Sequence, residues 1–184
     1  MKIYLGSDHA GYFLKEKMKS FLLEKGYEVV DCGAYDNDKD DDYPVFVGKA
    51  ADAVSKDPAS RGIVFGGSGQ GEAIVANKYK NVRCALFYAL NNSKCVVDVN
   101  GKTSSDPFEM LRLAREHNDA NMLSLGARLL KEEDTMKAVQ IFLETPFSGE
   151  ERHMRRVEQI TQLEEEIQNS KCKSQKHNSK VKSE

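Results

Sequence analysis

The chain alternates short apolar runs with longer stretches in which apolar residues recur every three or four positions. The short runs predict strands at residues 2–6, 27–32, 61–65, 82–90 and 122–126. The longer stretches predict helices directly behind residue 71 and at residues 12–25, 43–55, 110–116, 134–144 and 149–168. Strands that alternate with helices pair in parallel through right-handed crossovers. We therefore predict a three-layer Rossmann-like α/β fold, a five-stranded parallel sheet flanked by helices, with ligands at the carboxyl ends of the strands.

The pattern also predicts the domain organisation. Residues 1–168 form one domain, interrupted by an inserted loop at about 91–108 that exceeds the ~12–15 residues beyond which connections are uncommon. Within it, residues 95–99 could form a short strand followed by an Asn100-Gly101 turn. A surface hairpin or partner contact is favoured slightly over a lid. Residues 169–184 are rich in lysine and nearly devoid of apolar side chains, which predicts a disordered basic tail.

The most informative stretch runs from Arg61 to Lys78, where a strand enters a loop with glycines at positions 66, 67, 69 and 71. A strand, a glycine-rich turn and a helix together direct several backbone N–H groups at one point, which suits an anion. The unusual feature is Glu72, a carboxylate in the first helical turn. A simple phosphate-binding loop gains nothing from a negative charge there, whereas an enzyme that abstracts a proton does.

Composition narrows the classes of function. The net charge of −2 and the pI near 6.1 give no electrostatic reason to expect a nucleic-acid partner. No apolar run has membrane-spanning length, and no signal-peptide hydrophobic region begins the chain. The four cysteines show no paired spacing, which predicts reduced thiols in a cytoplasmic protein and no zinc site. The acidic stretch 36–42 is interpreted as a solvated turn in preference to a metal site, because it lacks the ordered ligand spacing of a calcium loop.

Several polar residues follow or approach predicted strands. Asp8 and His9 follow the first strand, Glu72 follows the third, and Arg128 comes near the end of the fifth. His117 and Asn118 lie on the approach to the fifth strand. Taken singly, such residues are usually caps or structural groups. We predict that together they converge on one rim of the sheet.

At this point the chain resembles a known family, the type B ribose-5-phosphate isomerases, which includes sugar-phosphate isomerase subunits acting on galactose 6-phosphate. The resemblance covers roughly residues 1–168 and rests on the segments Gly6–Gly11, Asp42–Pro44, Gly66–Glu72, Ala76–Lys78, Arg115–Asn121, Gly126–Arg128 and Arg152–Val157. One version of this family carries a cysteine base where this chain has Gly66. The other carries glycine there and a glutamate after the last loop glycine, and this chain is similar to the second version.

The resemblance implies a role for each matching residue. Glu72 would be the proton-abstracting base and His117 the ring-opening histidine. The backbone of the loop would hold the enediolate, and the remaining residues would bind the sugar and phosphate. The implied substrate-binding set is Asp8, His9, Gly67, Ser68, Gly69, Gln70, Gly71, Asn118, Arg128, Arg152 and Arg156.

The implied activity is the interconversion of D-ribose 5-phosphate and D-ribulose 5-phosphate in the pentose phosphate pathway, with neither a metal nor an organic cofactor. The alternatives are a hexose-6-phosphate isomerase acting on allose or galactose 6-phosphate, and a non-catalytic sugar-phosphate-binding module. The expected partners are the small sugar phosphate and further copies of the chain, with no nucleic acid and no membrane. The family resemblance and the apolar stripe of the last helix predict a homodimer or a dimer of dimers with shared active sites.

Overall fold

The computed structural model describes the backbone of residues 1–181 and the side chains through residue 170, in two compact units divided after Ser148. The strands are β1 (Lys2–Ser7), β2 (Glu28–Asp31), β3 (Arg61–Gly66), β4 (Cys84–Phe87), β5 (Cys95–Val96), β6 (Thr103–Ser104) and β7 (Met122–Gly126). The helices are α1 (Tyr12–Glu24), α2 (Tyr43–Lys56), α3 (Gln70–Ala76), α4 (Glu109–Asn118), α5 (Glu132–Glu144) and α6 (Glu151–Val181). None of these helices combines the length and apolar character needed to cross a membrane.

The sheet confirms the predicted fold class. Five parallel strands lie in the order β2-β1-β3-β7-β4, so β3 lies at the centre between β1 and β7, and β4 forms one edge. Residues 62–66 of β3 and all of β7 are buried. A strand covered on both faces is largely apolar, and these two sequences accordingly show no alternation of polar and apolar residues. The polar side chain of β7, Ser124, is buried but makes a hydrogen bond.

Two apolar clusters cover the two faces of the sheet. Ile63 and Phe65 of β3 pack in the cluster that includes residues of α1, α4 and α5, whereas Val64 packs in the cluster that includes residues of α2 and α3. Successive side chains of a strand point to opposite faces, so one strand supplies both cores. Each such side chain contributes about 1.5–3 kcal/mol when fully buried. This double burial fixes β3, and with it the loop that follows, in the middle of the molecule.

The end of β2 is held by a charged side chain inside the fold. Lys15 of α1 is fully buried, and its Nζ lies 2.8 Å from both carboxylate oxygens of Asp31. Burial alone would raise the pKa of Asp31, but hydrogen bonds from Lys15 and Lys19 hold it below its ordinary value. Asp31 also accepts the backbone N–H of Gly33, whose carbonyl accepts the N–H of Ser7. The network therefore braces the backbone immediately before Asp8.

Several predicted bounds differ from the structure, and three of the differences affect the site or the domain organisation. The predicted strand 82–90 is confined to Cys84–Phe87, because β4 pairs on one side only and its register with β7 stops there. Helix α4 runs through Asn118, so His117 and Asn118 belong to the helix itself. Helix α6 continues to Val181, past the expected end near residue 168 and into the segment expected to be disordered. That segment contains no glycine or proline to end a helix, and residues 182–184 lie outside the described part.

The inserted segment forms the hairpin expected of it. Strands β5 and β6 are antiparallel, and the Val97 N–H donates to Lys102 O across the turn at 2.8 Å. At its base the Asn91 N–H donates to Pro107 O at 3.1 Å, and the buried Phe108 stacks on Phe87 with ring centroids 5.8 Å apart. The insertion is thus anchored in the core at its base, while Val99 near its tip is 82% exposed.

Replacing residues 93–103 with a short glycine–serine link should leave the fold intact. The Michaelis constant for the sugar phosphate that the family resemblance implies as substrate should stay within a few-fold of the parent. The chain ends at Asn91 and Pro107 already lie side by side, and shortening a surface loop changes its closure entropy only slightly. Thermal melting and steady-state kinetics measure the two effects. A large rise in the Michaelis constant without loss of stability would show that the hairpin is a lid.

Candidate active site

Three strand ends build the predicted rim. Asp8 follows β1, the glycine loop follows β3, and Arg128 lies just beyond the end of β7. The loop and the end of β7 are tied together, because Ala127 N–H donates to Gly66 O at 2.8 Å and Arg128 N–H donates to Gly67 O at 3.1 Å. Beneath the loop, the buried Ser124 hydroxyl donates to Gly69 O at 2.6 Å. These bonds give a glycine-rich segment a fixed shape.

An open cavity of about 440 Å³ lies on this rim and brings most of the predicted residues together. Its lining residues are Asp8, His9, Ala10, Tyr43, Gly67, Ser68, Gly71, Glu72, Arg128 and Leu129. Two carboxylates, an imidazole and a guanidinium therefore share one concave surface with the loop. This combination suits a small polar anion that carries hydroxyl groups.

Gln70 and Gly69 do not line this cavity, and their role in substrate binding stays a prediction. Gln70 lines a larger and more apolar cavity of about 670 Å³ beside α3 and β4, together with Ile74, Leu86 and Tyr88. Gly69 caps α3 with a φ of +78°, a conformation that favours glycine, and it lines neither cavity. A residue of a short tight loop faces one side or the other according to backbone direction, which the glycine spacing alone does not reveal.

The contact between Gly66 and Glu72 defines the centre of the site. A Cβ atom built at residue 66 would lie 1.8 Å from Glu72 Oε1 and 2.0 Å from its carboxyl carbon. The carboxylate therefore occupies the space that any side chain at residue 66 would need. Glycine at this position and glutamate at position 72 are consequently a matched pair, and a cysteine at 66 is incompatible with this placement of Glu72.

The environment of the Glu72 carboxylate alters its pKa, chiefly through burial. Glu72 is only 5% exposed, and burial is the largest influence on its pKa, which lies above the ordinary value of 4.5. A hydrogen bond from its own backbone N–H acts in the opposite direction, and the neighbouring charge of Asp8 raises the pKa further. Burial prevails, so Glu72 is a stronger base than a solvent-exposed glutamate.

Asp8, His9 and Asp41 are grouped at the edge of the cavity, with one possible ligand atom from each within 4.8 Å of the others. Two carboxylates and an imidazole have the chemistry to hold a divalent cation. Their hydrogen bonds already account for the grouping, however. Asp8 Oδ1 accepts the Ala10 N–H at 3.0 Å, and Asp41 Oδ1 lies 2.7 Å from His9 Nδ1.

His117 and Asn118 do not join the rim, and the prediction that they converge there within one chain was wrong. They end α4 and immediately precede β7, and Arg83, just before β4, donates to Asn118 O at 2.9 Å. They therefore lie at the amino ends of the parallel strands, whereas Glu72 lies beyond the carboxyl ends. A five-residue strand spans roughly 17 Å. A residue that precedes a strand lies at the amino ends of the parallel strands, whereas a residue that follows a strand lies at their carboxyl ends.

Arg152 and Arg156 lie one turn apart on α6, in the second compact unit. Within that unit Arg152 Nε donates to Glu150 Oε2 at 2.8 Å. Their place in the site stays a prediction. Sequence reasoning also missed two residues that belong with the cavity, Tyr43 in its lining and Asp41 behind His9. Tyr43 lies in the Asp42–Pro44 segment of the family resemblance, which was the available signal.

Comparisons with known proteins agree with this geometry. The family model described as Ribose/Galactose Isomerase matches residues 3–103 and 103–160, and the match is broken within the hairpin. The chain is 40% identical over 164 residues to ribose-5-phosphate isomerase B of Mycobacterium leprae, covering 89% of this chain and 90% of that protein. It is 33% identical over 164 residues to the Escherichia coli protein of the same name, covering 89% and 97%.

Solved structures show the same likeness. Ribose-5-phosphate isomerase B of Clostridium thermocellum is similar with a TM-score of 0.77 and 38% identity, covering 91% of this chain and 99% of that one. The Mycoplasma genitalium enzyme with bound ribulose-5-phosphate also gives a TM-score of 0.77, at 34% identity and with 90% and 97% covered. The fold and the site thus define an α/β aldose–ketose isomerase. More particularly, the chain belongs to the ribose/galactose isomerase family.

The substitution Gly66→Ala should abolish most isomerase activity while leaving the protein folded. The added methyl group meets the end of a flexible side chain, so the Glu72 carboxylate is displaced and the core is spared. Loss of a positioned base typically lowers the rate about 10²–10⁴-fold. Turnover measured beside thermal melting tests this expectation. Unchanged turnover in a folded variant would contradict the assignment of Glu72 as the base.

Proposed function

We propose that this protein interconverts D-ribose 5-phosphate and D-ribulose 5-phosphate through an enediolate, as a step of the pentose phosphate pathway, with Glu72 as the base. The observation that carries the proposal is the buried Glu72 carboxylate, held against Gly66 in a cavity that also contains Arg128 and the glycine loop. Ribose-5-phosphate isomerase B of Mycoplasma genitalium, which has this fold, has been solved with ribulose-5-phosphate bound.

The reaction needs three operations: the sugar ring opens, one proton moves between C2 and C1, and the negative enediolate oxygen is stabilised between the two transfers. Glu72 accepts the C2 proton and returns it to C1 from the same position. Its raised pKa suits this work, because a base is most effective when its pKa approaches the working pH. The backbone N–H groups of residues 67–71 stabilise the oxyanion, and each such donor typically contributes about 3 kcal/mol.

The remaining charged groups bind the substrate. Asp8 contacts sugar hydroxyl groups, and His9 and Arg128 bind oxygen atoms of the sugar and phosphate. Arg152 and Arg156, one turn apart on α6, hold the phosphate through forked donors. Binding the non-reacting phosphate orients C1 and C2 next to Glu72, so binding energy gained at one end of the substrate is used at the other.

A thiol is a poor candidate for the base. Burial raises the pKa of Cys84 to about 12, with a further contribution from the charge of Glu72, and burial raises the pKa of Cys32 to about 11. A thiol is reactive as its thiolate, so these side chains are unreactive near neutral pH. Cys32, Cys84 and Cys95 are free, which suits the reducing cytoplasm that we propose as the location.

The active protein is proposed to be a homodimer, or a dimer of dimers, in which each site takes residues from two chains. Within one chain, His117 lies at the amino ends of the parallel strands and Glu72 lies beyond their carboxyl ends. Ring opening by His117 next to Glu72 therefore requires His117 of a second copy. Apolar side chains available for contact between copies lie on the exposed side of α3 and along α6, at Ile74, Ile160, Leu163 and Ile167.

The alternatives are separable by assay. A hexose-6-phosphate isomerase would turn over allose 6-phosphate or galactose 6-phosphate in preference to ribose 5-phosphate. A non-catalytic binding module would bind ribose 5-phosphate without isomerising it. Burying an unpaired carboxylate costs free energy of folding. A module that only binds the sugar phosphate would gain no catalysis from Glu72 to offset this cost. Absorbance assays with the three sugar phosphates distinguish these possibilities.

The substitution Glu72→Gln should abolish isomerisation and leave substrate binding nearly unchanged. Glutamine has almost the same shape but cannot accept the proton, while the glycine loop and the arginines stay in place. The expected loss in turnover is about 10²–10⁴-fold or more. The matched control is Glu24→Gln, the same change at an exposed glutamate that ends α1. Wild-type turnover in Glu72→Gln would overturn the proposal.

The same variant has a stability readout that separates lost chemistry from lost folding. A glutamate whose folded-state pKa is raised favours folding most below its ordinary value of 4.5, and this contribution is lost as the pH rises through the folded-state pKa. Wild-type protein is therefore penalised at neutral pH, and the neutral glutamine is not. Glu72→Gln should melt at an equal or higher temperature at pH 7, and this advantage should disappear below pH 4.5.

Mixing two inactive variants tests the shared site. Glu72→Gln and His117→Asn should each be inactive alone, and co-refolding them should restore roughly a quarter of wild-type activity. In the mixed dimer, one of the two sites combines an intact Glu72 from one chain with an intact His117 from the other. If both residues of a site came from a single chain, no mixed dimer would contain an intact site. Absence of recovery in a demonstrated heterodimer therefore contradicts the shared site.

A further inference from the structure

One carboxylate of the acidic stretch 36–42, that of Asp41, is buried. Most of this stretch is exposed, as its prediction as a solvated turn requires, but the side chain of Asp41 is only 8% exposed. The turn is organised by Asp38, whose carbonyl accepts the Asp41 N–H at 3.3 Å and whose carboxylate accepts the Asp40 N–H at 3.0 Å. The turn thus places a single aspartate behind the rim of the active-site cavity.

Asp41 holds His9 by two bonds to one oxygen atom. Oδ1 of Asp41 accepts the backbone N–H of His9 at 3.0 Å and lies 2.7 Å from His9 Nδ1. An ionised carboxylate can only accept, so this contact places the proton on Nδ1. Nε2 is then the ring nitrogen available to a ligand in the cavity that His9 lines. The carboxylate therefore determines both the orientation of the ring and its tautomer.

The second oxygen of Asp41 makes a purely structural role unsatisfactory. Oδ2 is buried and has no hydrogen-bond partner in the part of the chain that the structure describes. Buried polar atoms are nearly always paired, and an unpaired carboxylate oxygen opposes folding. An aspartate that served stability alone would be improved by losing this charge. The presence of this carboxylate is explained if it is needed to orient His9 and to fix its tautomer.

We propose that Asp41 is a positioning residue of the isomerase: it fixes His9 with Nδ1 protonated, so that Nε2 is presented to an oxygen atom of the bound sugar phosphate. Asp41 lies behind His9 and acts on the substrate only through it. In the neutral ring, Nε2 accepts a hydrogen bond from a sugar hydroxyl. In the protonated ring, Nε2 donates to the phosphate. The inference rests on the proposed function for the identity of the ligand but not for the geometry of the pair.

The first test is spectroscopic and needs no turnover. With selective nitrogen-15 labelling of histidine in the full-length protein, the ring nitrogens of His9 are assigned by their absence in His9→Gln. The wild type should show the Nδ1-protonated form whenever the ring is neutral. In Asp41→Asn the amide can either accept from Nδ1 or donate to it, so the other tautomer should become populated. An unchanged His9 spectrum in Asp41→Asn would overturn the proposal.

The second test is a double-mutant cycle on the binding of ribose 5-phosphate, with the steady-state Michaelis constant as a parallel readout. Asp41→Asn should weaken binding about tenfold, at the lower end of the effect of removing a partner that orients a histidine, with kcat changed by less than about threefold. If Asp41 acts through His9, adding Asp41→Asn to His9→Gln should cause no further loss. Additive losses would show an independent, structural effect.

Two controls keep these outcomes separate. Asp40→Asn makes the same change of charge one residue away, at an exposed side chain, and should bind as the wild type does. The melting temperature of Asp41→Asn should equal or exceed that of the wild type, whereas a lower value together with additive losses indicates a structural aspartate. If the wild type fails to isomerise ribose 5-phosphate while the His9 tautomer still depends on Asp41, the proposed function fails and the positioning role stands.

Discussion

Burial of β3 on both faces is the constraint on which the rest of the structure depends. Because Ile63 and Phe65 pack in one core and Val64 in the other, the strand cannot shift along its axis or turn over without disrupting the packing of both cores. The chain leaves this strand at Gly66, directly into the loop that lines the cavity. The position of the catalytic centre is thus set by the same packing that stabilises the fold.

At Gly66 the absence of a side chain becomes a functional feature. The missing Cβ leaves room for the Glu72 carboxylate to lie against the backbone, where it is almost completely removed from solvent. That removal raises the pKa of Glu72 against the opposing effect of its backbone hydrogen bond. One glycine therefore controls the position of the Glu72 carboxylate directly and its basicity through burial. Burial of the charged carboxylate lowers the stability of the folded protein and at the same time makes Glu72 more basic.

The parallel sheet also imposes a limit on a single chain. All five strands run in the same direction. Residues that follow strands therefore collect at the carboxyl ends, and residues that precede strands collect at the amino ends. Glu72 belongs to the first group and His117 to the second. Chemistry that needs both groups is compatible with this fold only through association of chains. The proposed homodimer would meet this limit by bringing His117 of one copy next to Glu72 of the other.

The sequence by itself determined the succession of strands and helices along the chain, the parallel sheet and the glycine loop that Glu72 follows, because periodicity and glycine spacing are local properties. It also indicated the hairpin, from a turn signal within an unusually long connection. Only the tertiary structure decided that Gln70 lines a different cavity, that His117 lies at the amino ends of the strands, and that Asp41 contacts His9. It also decided that burial raises the pKa of Glu72 above its ordinary value, against a backbone hydrogen bond that lowers it. These findings depend on where a side chain lies or on how far its neighbours exclude solvent. Both properties arise only when packing brings together residues that are distant in sequence.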